Sequence, residues 1–282
     1  MSRNGLHIID THHHVGGVPS LMTTVGSSGP MKLEADTSWF RDDAELAARL
    51  AIMDDNGVDQ SVVIPTHEYL RPDGRADTSA VNDAIAAYRD RRPDRFVAAV
   101  GIVEPLYGDA SMEELERIRA ELGLVGVSFH TRFQGVSTDS PLVTRLVVKA
   151  AEVGLVPFIH CYADSPDEAP WKILDAAAAV PDTTIVVLDG FSGFERTKEI
   201  TRAAAEAPNL VFDTSLVFSF DFVEHFIARF GPERVVFGSD MYSVPLAYRR
   251  CYPLEQILVS RLDGETKAAI LSGNLRRILS LP

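Results

Sequence analysis

Cysteine is nearly missing from this 282-residue chain, which holds only Cys161 and Cys251. Two isolated cysteines build neither a disulfide framework nor a paired zinc site. Their scarcity fits a reducing interior, and a cytoplasmic location is the expectation. Long apolar runs are missing as well. Nothing approaches the ~20 residues that a membrane-spanning helix needs, and the first residues lack the apolar core of a secretory leader. Positive charge is short: 27 Lys and Arg face 40 Asp and Glu, for a net charge of -13. That deficit speaks against a nucleic acid or an anionic membrane as partner and leaves a small-molecule substrate. No G-x-G-x-x-G follows the first apolar run, so the dinucleotide-binding fingerprint is absent. What the chain does have is 46% hydrophobic and 24% charged residues, enough to bury a sizeable core.

Short β-branched apolar runs lie at residues 6–10, 60–65, 96–103, 125–130, 156–160, 184–188, 210–213 and 235–238. Amphipathic runs alternate with them at 42–56, 79–91, 111–122, 141–153, 171–180, 194–207 and 222–230. Leu46, Leu50 and Met53 recur at helical spacing, and Asn56-Gly57, Gly123 and Gly154 mark helix stops just before strands. Eight strand–helix repeats imply a parallel sheet with right-handed crossovers. Eight is also the number that closes a (β/α)8 TIM barrel, whose usual size is about 250 residues. A doubly wound open sheet is the rival. No linker divides the chain, so a single domain is expected over 1–282. Residues 16–40 form one long irregular stretch after the first strand. In a barrel this β1–α1 loop would lie over the C-terminal mouth, where Trp39 and Phe40 can either cap a ligand or pin the loop to the body.

Chemistry concentrates at the strand ends, where barrel active sites form. The first strand runs into Asp10-Thr11-His12-His13-His14. Alternate side chains of an extended chain share a face, so His12 and His14 point one way and His13 the other. Two adjacent imidazoles can hold one divalent ion. His67, Glu68, His130, Arg132, His160, Asp189, Asp213 and Asp240 lie at other strand ends, and only His7 and His225 of the eight histidines fall elsewhere. His160 and Asp240 each close an apolar strand, and either alone can be a capping residue. Added to the histidine pair they make a three-nitrogen, one-oxygen donor set suited to zinc, manganese or iron. A divalent ion there brings bound water toward a neutral pKa.

Several segments, in order and spacing, resemble the amidohydrolase superfamily, in the amidohydrolase-related branch that includes aminocarboxymuconate-semialdehyde decarboxylase. They are residues 10–14, Met53-Asp54-Asp55-Asn56-Gly57-Val58-Asp59, Pro157-Phe158-Ile159-His160, Phe212-Asp213-Thr214-Ser215, Phe237-Gly238-Ser239-Asp240 and Gly273-Asn274-Leu275-Arg276-Arg277. The resemblance implies a (β/α)8 barrel and one divalent metal, zinc first with manganese or iron admitted. By position the ligands would be His12, His14, His160 and Asp240. No lysine ends strand four, so the carbamylated-lysine bridge of binuclear relatives is absent. One departure stands out: Asp189 occupies the strand-six position where this family usually carries a histidine. An aspartate there can serve as general base, extra ligand, partner for a basic substrate group, or structural residue.

Arg132 can grip a substrate carboxylate through its forked donors, or pair with a nearby acid on the surface. His67 and Glu68 can contact substrate or metal, or form a hydrogen-bonded loop pair. His130 can orient a metal ligand or fill the barrel interior. Asp10 and His13 read as structural, and Cys161 as a small inert apolar residue. The leading expectation is a metal-dependent hydrolase of a small amide, ester or lactone, with metal-bound hydroxide attacking the carbonyl and Asp240 passing the proton to the leaving group. The alternative is a metal-dependent decarboxylase of an aromatic or enoic acid, favoured by Arg132 and disfavoured by an anion at Asp189. The third reading is a non-catalytic, degenerate barrel. A homodimer is admitted because two-fold assemblies are common, with no residue that fixes it.

Overall fold

A computed structural model of the chain describes residues 3, 5–16, 37–67, 73–162, 164–244 and 247–282. Eight parallel strands follow one another in space as they do in sequence. They are β1 (Ile9–Val15), β2 (Gln60–Pro65), β3 (Phe96–Ile102), β4 (Gly126–Phe129), β5 (Val156–His160), β6 (Ile185–Leu188), β7 (Leu210–Asp213) and β8 (Val235–Val236). β8 is short, but the chain beyond it runs on along β1. Thr11 N donates to Phe237 O at 2.9 Å and His14 N to Met241 O at 2.7 Å, and these bonds close the barrel.

Outside lie α1 (Asp43–Asn56), α2 (Arg75–Arg91), α3 (Asp109–Ala120), α4 (Pro141–Glu152), α5 (Leu174–Ala179), α6 (Phe194–Glu206) and α7 (Phe220–Phe230). Local chemistry sets their ends. The Asp42 carboxylate caps α1 by accepting from Ala44 N, and Gly57 ends it at φ +72°, in the left-handed region that glycine adopts without strain. None of the described helices is long and apolar enough to cross a membrane.

Strand alternation divides the core into two shells. Val62, Ile64, Ala98, Val100, Phe158, Val186, Leu188, Val211 and Val236 fill the barrel interior with Ile9. Leu275 and Leu279 of α10 (Asn274–Leu279) join them as a plug. Their neighbours Val63, Ala99, Val127, Ile159, Val187, Phe212 and Val235 face outward onto the helices. Each such side chain contributes about 1.5–3 kcal/mol on burial, which stabilises the frame that carries the mouth.

Two expectations need correction. The first strand does not stop before the histidines; Ile9–Val15 contains them, because residues 13–15 pair with β2. The helix expected over 171–180 begins as a 3-10 turn, Pro170–Ile173, and is α-helical only over Leu174–Ala179. The C-terminal α8 (Tyr252–Val259), α9 (Gly264–Ala268) and α10 were not foreseen. Most of the expected lid, 17–36, lies outside the described residues. At its far end Phe40 is buried with its ring edge-on to Tyr88, and half-buried Trp39 packs on the same outer core. Those contacts fit the pinning role.

Candidate active site

Period two carries the apolar interior directly into a polar top layer. Two residues after Phe158 comes His160, two after Val211 comes Asp213, and two after Ser128 comes His130. β1 reaches this layer differently. Asp10 pairs with Ser61 and His13 with Val63, so β1 carries one extra residue there, a β-bulge. Ile9 faces the barrel interior. Unbroken alternation would then turn His12 outward. The bulge reverses the parity and brings His12 and His14 into the mouth. Asp10 stays behind the strand with His13, their Oδ2 and Nε2 atoms 2.9 Å apart.

His12 and His14 bring their Nε2 atoms to 2.9 Å, and His160 Nε2 lies 3.3 Å from His14 Nε2. Asp240 Oδ1 is 3.4 Å from His12 Nε2 and 3.6 Å from His14 Nε2. Four donors around one ion at about 2.0–2.2 Å sit roughly 3.0–3.6 Å apart, so the spacing suits a metal. The other ring nitrogens fix the tautomers. Nδ1 of His12 donates to Asp213 Oδ2 at 3.0 Å, that of His160 to Phe129 O at 2.9 Å, and that of His14 faces Pro65 O at 3.4 Å. Each Nε2 lone pair is thereby aimed at one point. Asp240 Oδ1 is buried without a hydrogen-bond partner, which is how a ligand oxygen lacking its cation would look.

The electrostatics agree. Burial opposes charge on His12, yet Asp240, Asp213 and Asp189 overcome it and raise its imidazole to about 10. Burial and the neighbouring histidines push His14 and His160 well down. The cluster therefore holds one positive charge on one ring, and a divalent cation can replace that proton. Burial, then Asp189, pushes the Asp240 carboxyl well up.

Asp189 and Asp240 both sit at positive φ, +61° and +57°. Such turns strain any residue with a side chain and cluster at functional sites. Asp189 is held there by its own N–H, which donates to Asp213 Oδ1 at 3.0 Å, and by Ser215 Oγ, which donates to its Oδ1 at 2.8 Å. Burial raises its carboxyl to about 6. Asp213 thus serves His12 and Asp189 together. A Cβ at Gly238 would lie 2.4 Å from Asp213 Oδ2, so only glycine leaves room for that carboxylate.

The strand-four side adds a second layer. His130 lies flat on His160, centroids 3.9 Å apart and planes 2° from parallel. His67, in the loop just past β2, is buried, bonds Ser128 Oγ at 3.0 Å, and sets its ring edge-on to both His130 and His160. Glu68 lies outside the described residues. Arg132 is held over the rings of Phe133 and Tyr162, 4.4 and 4.2 Å from their centroids. Its Nε is 3.7 Å from Glu168 Oε2, and its side chain is 27% exposed. Glu168, wholly buried, meets His130 Nδ1 at 2.6 Å. Burial lifts the Glu168 carboxyl to about 8, while burial and Arg132 hold His130 neutral.

Sequence reasoning missed Glu168, Ser215, Tyr162 and Tyr242, whose ring stacks on His14 at 4.6 Å. Ser215 closes the motif Phe212-Asp213-Thr214-Ser215 and could have been found there. Glu168 comes from a short 3-10 turn, Pro166–Glu168, which carries no periodic signal. Cys161 is buried, and burial pushes its thiol well up, as an inert apolar residue requires.

Residues 9–281 match the amidohydrolase family. The chain belongs to that family. A 94-residue stretch is 28% identical to 2-amino-3-carboxymuconate-6-semialdehyde decarboxylase of Dictyostelium discoideum, covering 33% of this chain and 23% of that relative. Among solved structures, 5-carboxyvanillate decarboxylase of Novosphingobium aromaticivorans superposes with a TM-score of 0.73 at 16% identity, over 99% of this chain and 97% of that one. It was solved with manganese and 4-hydroxy-3-methoxy-5-nitrobenzoic acid. A 2,6-dihydroxybenzoate decarboxylase from Rhizobium gives 0.71 at 17% identity, over 98% and 99%. At these identities the structural likeness speaks for the fold.

Proposed function

We propose that this amidohydrolase-family barrel is a metal-dependent decarboxylase of a small aromatic or enoic acid. The observation that carries the reading is the convergence of three Nε2 atoms and a partnerless buried carboxylate oxygen beside an anchored arginine. His12, His14, His160 and Asp240 would hold one divalent ion. Zinc and manganese both suit this donor set, and manganese in a fold relative supports the latter. When bound, the ion supplies Lewis-acid polarisation of substrate oxygens.

This chain's own groups do the rest. Arg132, fixed between two aromatic rings, binds the substrate carboxylate through its forked donors. Asp189 has one oxygen committed to Ser215, and the other accepts a hydrogen bond from a ring hydroxyl or amine. Asp240, through the carboxylate oxygen not given to the ion, relays a proton from solvent to the ring carbon as the carbon–carbon bond breaks and carbon dioxide leaves. Carboxylate plus proton thus becomes hydrocarbon plus carbon dioxide. His67 and His130, packed on His160, exclude water behind the ligand.

The activities that the relatives' names carry shift the weight from the hydrolase expectation to this carbon–carbon lyase. Hydrolysis stays as second reading because Asp189, an acid at the rim, can accept a proton from water. The deciding experiment loads the purified protein with manganese or zinc. Carbon dioxide release is then followed over hydroxy- and amino-substituted aromatic acids, in parallel with a panel of esters, lactones and amides. Turnover confined to the second panel would overturn the proposal in favour of hydrolysis.

A further inference from the structure

Behind β1, on the side away from the mouth, lies a wholly buried charge network that the proposed chemistry does not use. Arg49 of α1 is 1% exposed. Its Nε and Nη2 donate to Glu45 Oε1 at 3.0 and 2.7 Å. The same Nη2 donates to the carbonyl of His14 at 2.7 Å. Nη1 lies 3.5 Å from His13 Nδ1, and His13 Nε2 lies 2.9 Å from Asp10 Oδ2. Asp10 Oδ1 accepts from the backbone N–H groups of His12 and Ser239, both at 3.0 Å. Glu45 is itself fixed by Ser243 Oγ at 2.7 Å and by the hydroxyl of Tyr88.

Two branches of this network end on β1, one at the bulge and one just past it. Asp10 bonds the N–H of the first inward histidine, and Arg49 bonds the C=O of the second. A buried ion pair is weak evidence for net stability, because desolvation offsets most of its attraction. It does impose direction: a guanidinium shared between a carboxylate and a backbone carbonyl tolerates one geometry. We propose that Arg49 is a positioning residue. Acting through the backbone of β1, it holds the bulge that turns His12 and His14 toward a metal ion. The inference rests on the proposed metal binding and adds a residue about one layer removed from the ligands.

The test measures metal affinity, not turnover. Arg49→Lys keeps the charge opposite Glu45 but lacks the second donor nitrogen on that carboxylate and the rigid plane that directs Nη2 to His14 O. Glu45→Gln with Arg49→Met removes the pair in a charge-balanced way, in case a lone buried change prevents folding. Tyr88→Phe loosens the far side of Glu45 and leaves β1 untouched. Each metal-free protein is checked by thermal melting, then titrated with Co2+ and Mn2+, and the cobalt absorption bands are recorded. Supporting tethers of this kind typically hold about 10- to 100-fold in metal affinity. The folded Arg49 variant is expected to lose that much and to show altered cobalt bands, whereas Tyr88→Phe loses stability alone. Wild-type affinity and bands in whichever Arg49 variant folds would overturn the inference and leave the metal site standing. So would an equal affinity loss in Tyr88→Phe at an equal loss of melting temperature. A wild-type protein that takes up neither metal overturns the metal reading and this one together.

Discussion

Asp213 offers the sharpest test of how the site is aimed. Its Oδ2 accepts from His12 Nδ1 at 3.0 Å, and its Oδ1 accepts from the Asp189 N–H at 3.0 Å. Asp213→Asn keeps the shape and replaces one acceptor oxygen by an NH2 donor. If the amide oxygen stays on the Asp189 N–H, the NH2 faces His12 Nδ1. That ring must then accept, and its proton moves to Nε2, where a metal would bind. If the amide turns over, His12 keeps its tautomer but the Asp189 N–H meets an NH2 donor in place of its nearer acceptor and keeps only Ser215 Oγ at 3.2 Å. Either way the site weakens. Losing the partner that orients a ligand histidine typically lowers metal affinity about 10- to 100-fold, or roughly 1.4–2.8 kcal/mol at 1.4 kcal/mol per tenfold. Calorimetric titration of metal-free protein with Mn2+, backed by competition against a coloured chelator, reads this directly. An Asp213→Asn protein that folds and binds manganese within about twofold of wild type would refute the reasoning.

Gly238→Ala places a methyl 2.4 Å from Asp213 Oδ2; we expect about 1–3 kcal/mol of destabilisation from overpacking and a loss of metal affinity like that of Asp213→Asn, and unchanged metal titration would count against the shared role of Asp213. Glu168 keeps its proton in the fold up to about 8, above the ordinary 4.5. Between those values the unfolded chain has released a proton that the folded chain retains, so this group's contribution falls as pH rises. Glu168→Gln should therefore melt progressively higher, relative to wild type, from about pH 5 to pH 8, and a gap that stays constant with pH would show that the carboxyl is ionised throughout. Arg132→Lys should weaken binding of an aromatic acid by about 10- to 100-fold, as loss of a charged hydrogen bond implies, with little effect on the matching carboxamide; equal losses for both would remove Arg132 from carboxylate recognition.

Much of this was legible in the sequence because it depends on local periods. Alternating β-branched and amphipathic runs, with Gly57 stopping α1 before β2, specify parallel strand–helix repeats wherever the chain sits. The same period of two puts His160 above Phe158 and Asp213 above Val211, so those chemical groups could be placed from spacing alone. The β1 face could not. Counting from Ile9 points His12 away from the mouth. Only pairing with β2 and with the chain after β8 inserts the extra residue that reverses it. Glu168, drawn from an irregular turn, and Arg49, a cation on an otherwise ordinary helix, likewise meet their partners only through contacts distant in sequence. Period is a property of neighbours along the chain, so the order of strands and helices and the apolar face of each were determined by sequence alone. Parity at a bulge, the partner of a buried charge and the aim of an imidazole depend on hydrogen bonds between segments far apart in the chain, and those exist only once the barrel has closed.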